Sequence, residues 1–209
     1  MDWFAGALQD EAALEELYEP SSWLVENKEI DHLDQHCRDY LAVCSFVLLA
    51  SSDAQDRADV TPRGGPRGFV SVLDDRTLAI PDATGNRRID TLHNVVQTGR
   101  LGLLAVLPGR GQTLRINGRA CVSADPALLS QLTPVGKPPR TALVMAVEEV
   151  FTHCPKAFVR SGLWKPETWP TDDEQPAPAL MLRDHVGDPA LTLQDAEQAM
   201  VDAVTIRLA

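Results

Sequence analysis

The chain has 209 residues, 44% of them hydrophobic, and a formal net charge of −11. That length is sufficient for one well-buried core, and the composition excludes disordered, collagen-like and coiled-coil classes. The negative charge argues against nucleic acid and against an anionic membrane as partners, because phosphate-rich surfaces select basic proteins.

The N-terminal residues Met1-Asp2-Trp3-Phe4 are followed by acidic residues, without the basic region and long apolar stretch of a signal peptide. No run in the sequence reaches the roughly 18 apolar residues of a membrane span. These features predict a cytoplasmic protein that has no membrane partner.

The four cysteines include no C-x-x-C pair, which argues against a zinc knuckle and against a redox dithiol. Two of them follow a histidine directly, in His36-Cys37 and His153-Cys154. Neighbouring side chains on a helix or strand point in different directions, so these pairs do not converge readily on one metal. The sequence predicts no metal site and reduced, mostly buried thiols.

The first half of the chain changes from helical to strand patterns near residue 43. Helices are predicted at 7–17 and 31–42, and strands at 43–50, 57–62, 68–73 and 77–81. Asp74-Asp75 is typical of a hairpin turn between the last two of these strands.

Two adjacent arginines, Arg87 and Arg88, follow Thr84-Gly85-Asn86 at the predicted start of the next helix. A helix start carries partial positive charge, so each cation there is disfavoured by roughly 0.3–1 kcal/mol unless an anion is near. A phosphate bound by backbone N–H groups and two guanidinium groups would remove this conflict. The pattern therefore predicts a phosphate site.

Charge clustering points the same way. Residues 57–119 contain ten arginines against five aspartates, with neither lysine nor glutamate, inside an acidic protein. A basic central segment indicates a local anionic ligand, while chance clustering of surface arginines remains the alternative.

The second half of the chain adds three strands, at 100–107, 113–120 and 141–151, with a short helix at 125–132. In the 113–120 strand polar residues alternate with apolar ones, so one face is polar throughout. That face either contacts water or lines a ligand cleft or a subunit seam. From Ala177 onwards the pattern predicts one or two amphipathic helices.

Six or seven short strands separated by turns favour a closed antiparallel barrel over a parallel sheet. The predicted fold is mainly β with flanking helices. Its predicted organisation is an N-terminal helical extension at 1–42, a barrel at 43–170 and a C-terminal helical extension at 171–209.

This order of elements and five motifs resemble the split-barrel flavoproteins of the pyridoxamine 5′-phosphate oxidase-like superfamily. More narrowly, the chain resembles a bacterial subgroup of FMN-dependent type, over about residues 30–170. The motifs are Asp59-Val60-Thr61-Pro62-Arg63-Gly64, Val72-Leu73-Asp74-Asp75-Arg76-Thr77-Leu78, Gly85-Asn86-Arg87-Arg88-Ile89-Asp90, Gly111-Gln112-Thr113-Leu114-Arg115-Ile116-Asn117-Gly118-Arg119-Ala120, and His153-Cys154-Pro155-Lys156-Ala157-Phe158-Val159-Arg160-Ser161 with Leu163-Trp164.

The resemblance implies a split antiparallel β-barrel that forms a homodimer, with FMN in a cleft between the two subunits. By position, Arg63, Arg87 and Arg88 would hold the FMN phosphate with help from Asn86, and Gly64 would let the backbone approach the flavin. The ribityl chain or the ring would be contacted by Gln112, Thr113 and Arg115, from the same or the neighbouring subunit. The cleft would be closed by Lys156, Arg160 and Trp164. Similar sequences often carry an acid where Gly65 stands and a second asparagine where Arg87 stands.

The function that follows is an FMN-dependent oxidoreductase with an unidentified substrate and no assigned catalytic residue. The alternative is a non-catalytic dimeric protein that binds flavin, or haem, in the same cleft. A deazaflavin coenzyme in place of FMN is a third possibility.

Overall fold

The structure, a computed structural model, describes residues 2–83 and 88–206. Its centre is a seven-stranded antiparallel sheet that curls into a split barrel, with the strand order β2-β1-β5-β6-β7-β4-β3. The strands are β1 (Phe46–Ser52), β2 (Ala58–Gly64), β3 (Ser71–Val72), β4 (Thr77–Pro81), β5 (Arg100–Val106), β6 (Thr113–Ser123) and β7 (Ala142–His153).

Helices flank the barrel at both ends of the chain and interrupt it between strands. They are α1 (Glu11–Glu15), α2 (Trp23–Glu26), α3 (Gln35–Val43), α4 (Asp90–Thr98), α5 (Pro126–Leu129), α6 (Lys156–Ser161), α7 (Pro178–Val186) and α8 (Leu193–Thr205), with short 3₁₀ turns at Trp3–Gly6 and Pro166–Thr168. Within the described residues, no helix is both long enough and apolar enough to cross a membrane.

Alternation along the strands sends one set of side chains into the core, on what we call the inner face of the sheet. Leu49, Ile116 and Met145 are fully buried there. Leu41 of α3 and Val95 of α4 join the same core. Each such side chain contributes roughly 1.5–3 kcal/mol by leaving water. The opposite, outer face carries the polar residues of β6.

A β-bulge interrupts the pairing of β6 with β7. Asn117 pairs with Glu149 and Gly118 pairs with Val147, so Glu148 is the extra residue on β7. Its carboxylate accepts hydrogen bonds from Arg100 at 2.5 Å and from Arg119 at 3.0 Å. A Cβ on Gly118 would lie 2.0 Å from the carbonyl oxygen of Ala146, so this close approach of backbones requires glycine.

The helix α4 packs across β1, with Val95 buried and the amide of Asn94 donating to the Ser51 hydroxyl at 3.0 Å. It ends at Gly99, whose φ of 65° allows the chain to turn directly into β5. The N-terminal end of α4 is thereby held beside β2, where the hydroxyl of Thr91 donates to Asp59 at 3.3 Å.

Most predicted elements are confirmed, and the differences have identifiable causes. The predicted strand at 77–81 coincides with β4, and the two C-terminal helices pack against each other. The helix predicted at 7–17 is reduced to Glu11–Glu15 because it buries no residue, and short helices need packing. The strand predicted at 68–73 is reduced to Ser71–Val72, since Phe69 and Val70 turn into the core instead.

The Tyr40 hydroxyl connects α3 to the turn between β5 and β6. It lies 3.1 Å from the carbonyl oxygens of both Ala105 and Gln112 and donates its single proton to one of them at a time. Burial raises the pKa of Tyr40 to about 12, so the hydroxyl keeps its proton at neutral pH. The bond fixes the position of the turn that precedes β6.

We expect Tyr40→Phe to lower the free energy of unfolding by about 1 kcal/mol, because the carbonyl oxygens of Ala105 and Gln112 lose their shared donor. Urea denaturation would measure it. Tyr18→Phe is the matched control, since Tyr18 is 70% exposed and its hydroxyl makes no hydrogen bond within the described residues. Equal stability of the two variants would contradict the assigned role of the Tyr40 hydroxyl.

Candidate cofactor site

Two groups of predicted site residues lie at different places on the barrel. The first is what we call the arginine corner, which consists of Asp59, Arg63, Asp82, Arg88 and Thr91. Asp59 of the edge strand β2 contacts Thr91 and lies near Arg88 at the start of α4, and Arg63, four residues further along β2, lies near Asp82. The second group lies where β6 starts and α6 follows the end of β7. Asn86 and Arg87 lie outside the described residues, as do Thr84 and Gly85.

In the arginine corner, Arg63 projects from the inner face of β2. Its Nη1 donates to the Thr61 hydroxyl at 3.2 Å and to the Pro62 carbonyl oxygen at 3.4 Å, both neutral acceptors. In the part of the chain that the structure describes, Arg63 belongs to no ion pair. Its guanidinium is thus available for an anion.

A half-buried carboxyl lies near this guanidinium across the split of the barrel. Burial raises the pKa of Asp82, which directly follows β4, and the positive charge of Arg63 partly opposes that rise. A carboxyl with a raised pKa gives up its charge more easily when a second anion approaches. Asp82 was not singled out from the sequence, where nothing distinguishes it from other aspartates.

Arg88 precedes the helix instead of lying within its first turn. The helix α4 begins at Asp90 with Ile89 as its cap residue, and Arg88 donates a hydrogen bond from Nε to the Asp90 carboxylate. This carboxylate, and more weakly Asp59, raises the pKa of Arg88. The prediction of a phosphate from Arg87 and Arg88 loses one of its reasons, because Asp90 already supplies negative charge at the helix start and offsets the positive charge of Arg88.

The glycine at position 65, where similar sequences carry an acid, has a structural explanation. A Cβ there would lie 2.7 Å from Cγ of Phe69 and 2.8 Å from Cγ2 of Val135. Phe69 is fully buried and cannot move aside without cost. This chain therefore fills with an aromatic ring the space that a side chain at position 65 would need.

The second group gathers around the first residues of β6. Thr113 is only 2% exposed and pairs with His153, while Arg115 is exposed on the outer face opposite Phe151. Gln112 is positioned through its backbone carbonyl, which accepts from Tyr40. The predicted residues Gln112, Thr113 and Arg115 thus occupy one end of the barrel.

The helix α6 is attached to the same end through Trp164. The indole Nε1 donates to the Arg110 carbonyl oxygen at 2.8 Å, and the ring stacks on Phe158 with centroids 5.8 Å apart. Lys156 and Arg160 are exposed on α6. These three predicted residues therefore lie close to the β5–β6 turn, although no described contact joins Lys156 or Arg160 to Arg115.

The structure does not bring the two groups together within one chain. Arg63 lies on the inner face, in the row of paired residues that continues across the sheet through Val47 and Ala105 to Leu114. Arg115 lies in the neighbouring outer-face row, which contains Pro62. Between β2 and β6 there are three strand spacings, about 14 Å. The two groups thus face opposite sides of the sheet.

A shallow hollow of about 430 Å³ crosses the outer face between these groups. Small residues of neighbouring strands, Ala50, Gly102 and Gly118, lie along it, and its rim carries Arg100 and Glu148. None of the predicted site residues that the structure describes lines this hollow. Its arginine is already paired with Glu148.

The prediction of mostly buried thiols is half right. Cys37 and Cys44 are buried, and burial raises the pKa of Cys37 to about 12. Cys121 and Cys154 are exposed, because β6 turns Cys121 to the outer face and Cys154 follows the end of β7. Across residues 2–83 and 88–206, no three His, Cys, Asp or Glu side chains are arranged to hold a metal ion.

An antiparallel split barrel of seven strands defines the class of protein. The chain belongs to the pyridoxamine 5′-phosphate oxidase family, whose model matches residues 33–154. The matched range contains all seven strands and α4. The predicted family is confirmed.

Several solved structures are similar to the barrel at low sequence identity. A putative pyridoxamine 5′-phosphate oxidase from Lactobacillus delbrueckii is 21% identical with a TM-score of 0.47, and the match covers 58% of this chain and 95% of that protein's chain. HupZ of Group A Streptococcus is 19% identical with a TM-score of 0.45, covering 57% and 92%. HutZ, the heme storage protein of Vibrio cholerae, is 13% identical with a TM-score of 0.39, covering 57% and 93%. No curated protein matches this chain.

Proposed function

We propose that this protein is an FMN-dependent oxidoreductase in which Arg63 and Arg88 hold the flavin phosphate. The observation that carries the proposal is the Arg63 guanidinium, which projects from the edge strand whose other end contacts the start of α4, and which bonds only neutral oxygens in the described chain. In a member of this family, such a group is suited to a phosphate.

The residues of the arginine corner fit a phosphate group in donor chemistry. Arg88 is 78% exposed and Asp90 is 44% exposed, so their pair is worth little and can open for a stronger anion. The first N–H groups of α4, a helix of nine residues, add donors at the same place.

The remaining flavin contacts require a second copy of the chain in this proposal. Thr113 and Arg115 lie on the outer face of β6, away from the inward-facing Arg63, so an FMN molecule held there reaches them, and Gln112 directly before them, only on another subunit. The outer face of β2 supports such packing, since Val60 leaves 66% of its surface exposed. We therefore propose a homodimer with one cofactor in each of two equivalent seams.

FMN supplies the capacity to accept a hydride, and the protein supplies position and charge. Arg63 and Arg88 bind the phosphate and fix the orientation of the cofactor. Either Arg115 or Lys156 stabilises negative charge at the ring. Trp164 and Arg160 close the cleft against water. The predicted helical extensions at 1–42 and 171–209 flank the barrel in this proposal.

The visible spectrum of the freshly purified protein tests the cofactor. We expect the two absorption bands of oxidised flavin, and then oxidation of a reduced nicotinamide by the FMN-loaded protein. A Soret band would indicate haem, and mass spectrometry of the released ligand would identify a deazaflavin. A yellow protein without turnover would favour the non-catalytic alternative, and a colourless protein that ignores added FMN would refute flavin binding.

Gly64→Ala tests whether the backbone of β2 passes close to the flavin. A Cβ at this position meets only the Ser45 carbonyl oxygen at 3.6 Å, an ordinary contact, so the midpoint of thermal unfolding should stay unchanged. FMN affinity should fall about tenfold, because the methyl group occupies space that the ring needs. Flavin fluorescence titration measures the change, and unaltered affinity would show that the ring does not approach this position.

A further inference from the structure

Three basic side chains surround one aromatic ring on the outer face, forming what we call the Phe151 cluster. Nζ of Lys28 lies 4.9 Å and Cζ of Arg115 lies 5.3 Å from the centre of the Phe151 ring. The imidazole of His153 lies 5.0 Å from the same centre. Of these residues, only Arg115 was expected to take part in a site.

Contacts distant in sequence build this cluster. Ile30 exchanges two backbone hydrogen bonds with Val150, of 2.7 and 3.0 Å, which fix the segment before α3 against β7. The ammonium of Lys28 then donates to the Thr152 carbonyl oxygen at 2.7 Å. Lys28 is therefore a positioned group that keeps two further N–H donors.

The cations of the cluster lie close enough to His153 to act on its imidazole. Burial, and then the positive charges of Lys28 and Arg115, lower the pKa of His153. Neither cation belongs to an ion pair among the residues that the structure describes. The face of an aromatic ring offsets only part of the repulsion between cations.

Elsewhere on the outer face, two neighbouring arginines share one acidic partner. Arg100 and Arg119 share the Glu148 carboxylate, at 2.5 and 3.0 Å. The Phe151 cluster has no corresponding carboxylate in the described chain. It thus retains donors and charge for an external anion.

We propose that the Phe151 cluster binds the oxyanion group, a carboxylate or a phosphate, of the substrate. The guanidinium of Arg115 offers two parallel donors and Lys28 adds a point charge. A neutral His153 offers one ring N–H. This inference rests on the proposed function, since it names the substrate class of that site.

Calorimetric titration of the FMN-loaded protein with benzoate and with inorganic phosphate tests the inference and separates the two anions. For the anion that binds, Lys28→Gln and Arg115→Gln should each raise the Kd at least about tenfold, as loss of a charge-assisted hydrogen bond requires. Arg119→Gln is the matched control on the same strand and face, and should change the Kd less than about twofold. Added benzoate or phosphate should also shift the side-chain NMR resonances of His153.

The outcomes separate this inference from the proposed function. Lys28→Gln should leave FMN affinity within about twofold of the unsubstituted protein; a loss as large as tenfold would mean that the cluster holds the flavin phosphate and would overturn the inference. Binding of neither anion, or equal binding by Lys28→Gln and Arg119→Gln, would also overturn it. Failure to take up FMN would refute the proposed function alone, and the same titrations on the flavin-free protein would still test the cluster.

Discussion

The double variant Arg63→Gln with Arg88→Gln should raise the Kd for FMN at least about 100-fold, because each charged hydrogen bond to phosphate is worth roughly 1.5–3 kcal/mol. The Kd for riboflavin should change less than about threefold, since riboflavin lacks the phosphate that these guanidinium groups would bind. Quenching of flavin fluorescence on binding measures both affinities. The difference between the two ligands isolates the phosphate from the ring.

Arg67→Gln is the control, because Arg67 is exposed just after β2 and forms no ion pair in the described chain. The double variant Arg87→Ala with Arg88→Ala tests the contribution of Arg87, which lies outside the described residues. Circular dichroism should show the same fold in every variant. An equal loss of riboflavin and FMN affinity, or no loss of either, would contradict the phosphate assignment.

Gly118→Ala should be the most damaging small substitution in the barrel. The added Cβ would lie 2.0 Å from the Ala146 carbonyl oxygen and 3.3 Å from the Glu148 amide nitrogen, both backbone atoms. Relief requires β6 and β7 to separate at the bulge, which breaks their pairing in the middle of the sheet. We expect a loss of more than about 3 kcal/mol in the free energy of unfolding.

Urea unfolding followed by circular dichroism measures this loss, and Gly64→Ala is the matched control because its Cβ makes one ordinary contact. Insoluble Gly118→Ala protein alongside soluble Gly64→Ala protein would agree with the expectation. A Gly118→Ala variant within about 1 kcal/mol of the unsubstituted protein would show that the bulge can rearrange, and would contradict the register described for β6 and β7.

The barrel strands could be predicted from the sequence because local alternation and turn residues specify them. The hairpin at Asp74-Asp75 is an example, since the Leu73 amide bonds the Thr77 carbonyl oxygen at 2.9 Å as such a turn requires. The β7 bulge was not predicted, although the apolar alternation of β7 through Leu143, Met145 and Val147 shifts by one residue to Val150. This shift and the isolated glycine within the β6 pattern were the available signals.

Helix boundaries were predicted less well, and this affected the interpretation of the site. The predicted start near Arg87 and Arg88 preceded the observed start at Asp90. An acid at the first helical position was the available signal, because negative charge is favoured there. Locating it would have shown that Arg88 has a partner within the chain.

The candidate site was predicted only where its residues are close in sequence. Arg63 and Arg88 belong to recognisable motifs, and their roles stay predictions. Lys28 could not be connected with Phe151, because the contact depends on the pairing of Ile30 with Val150 across the fold. His153 was noted as part of a His-Cys pair and of the last motif, and neither gave an indication of its neighbours.

A crystal structure of the protein grown with FMN would show whether Arg63 and Arg88 hold the flavin phosphate. We expect two chains in each assembly, with the phosphate between Arg63 and Arg88 of one chain and the ring against Arg115 of the other. A flavin phosphate bound elsewhere, or an arginine corner that holds only water in the presence of saturating FMN, would contradict it.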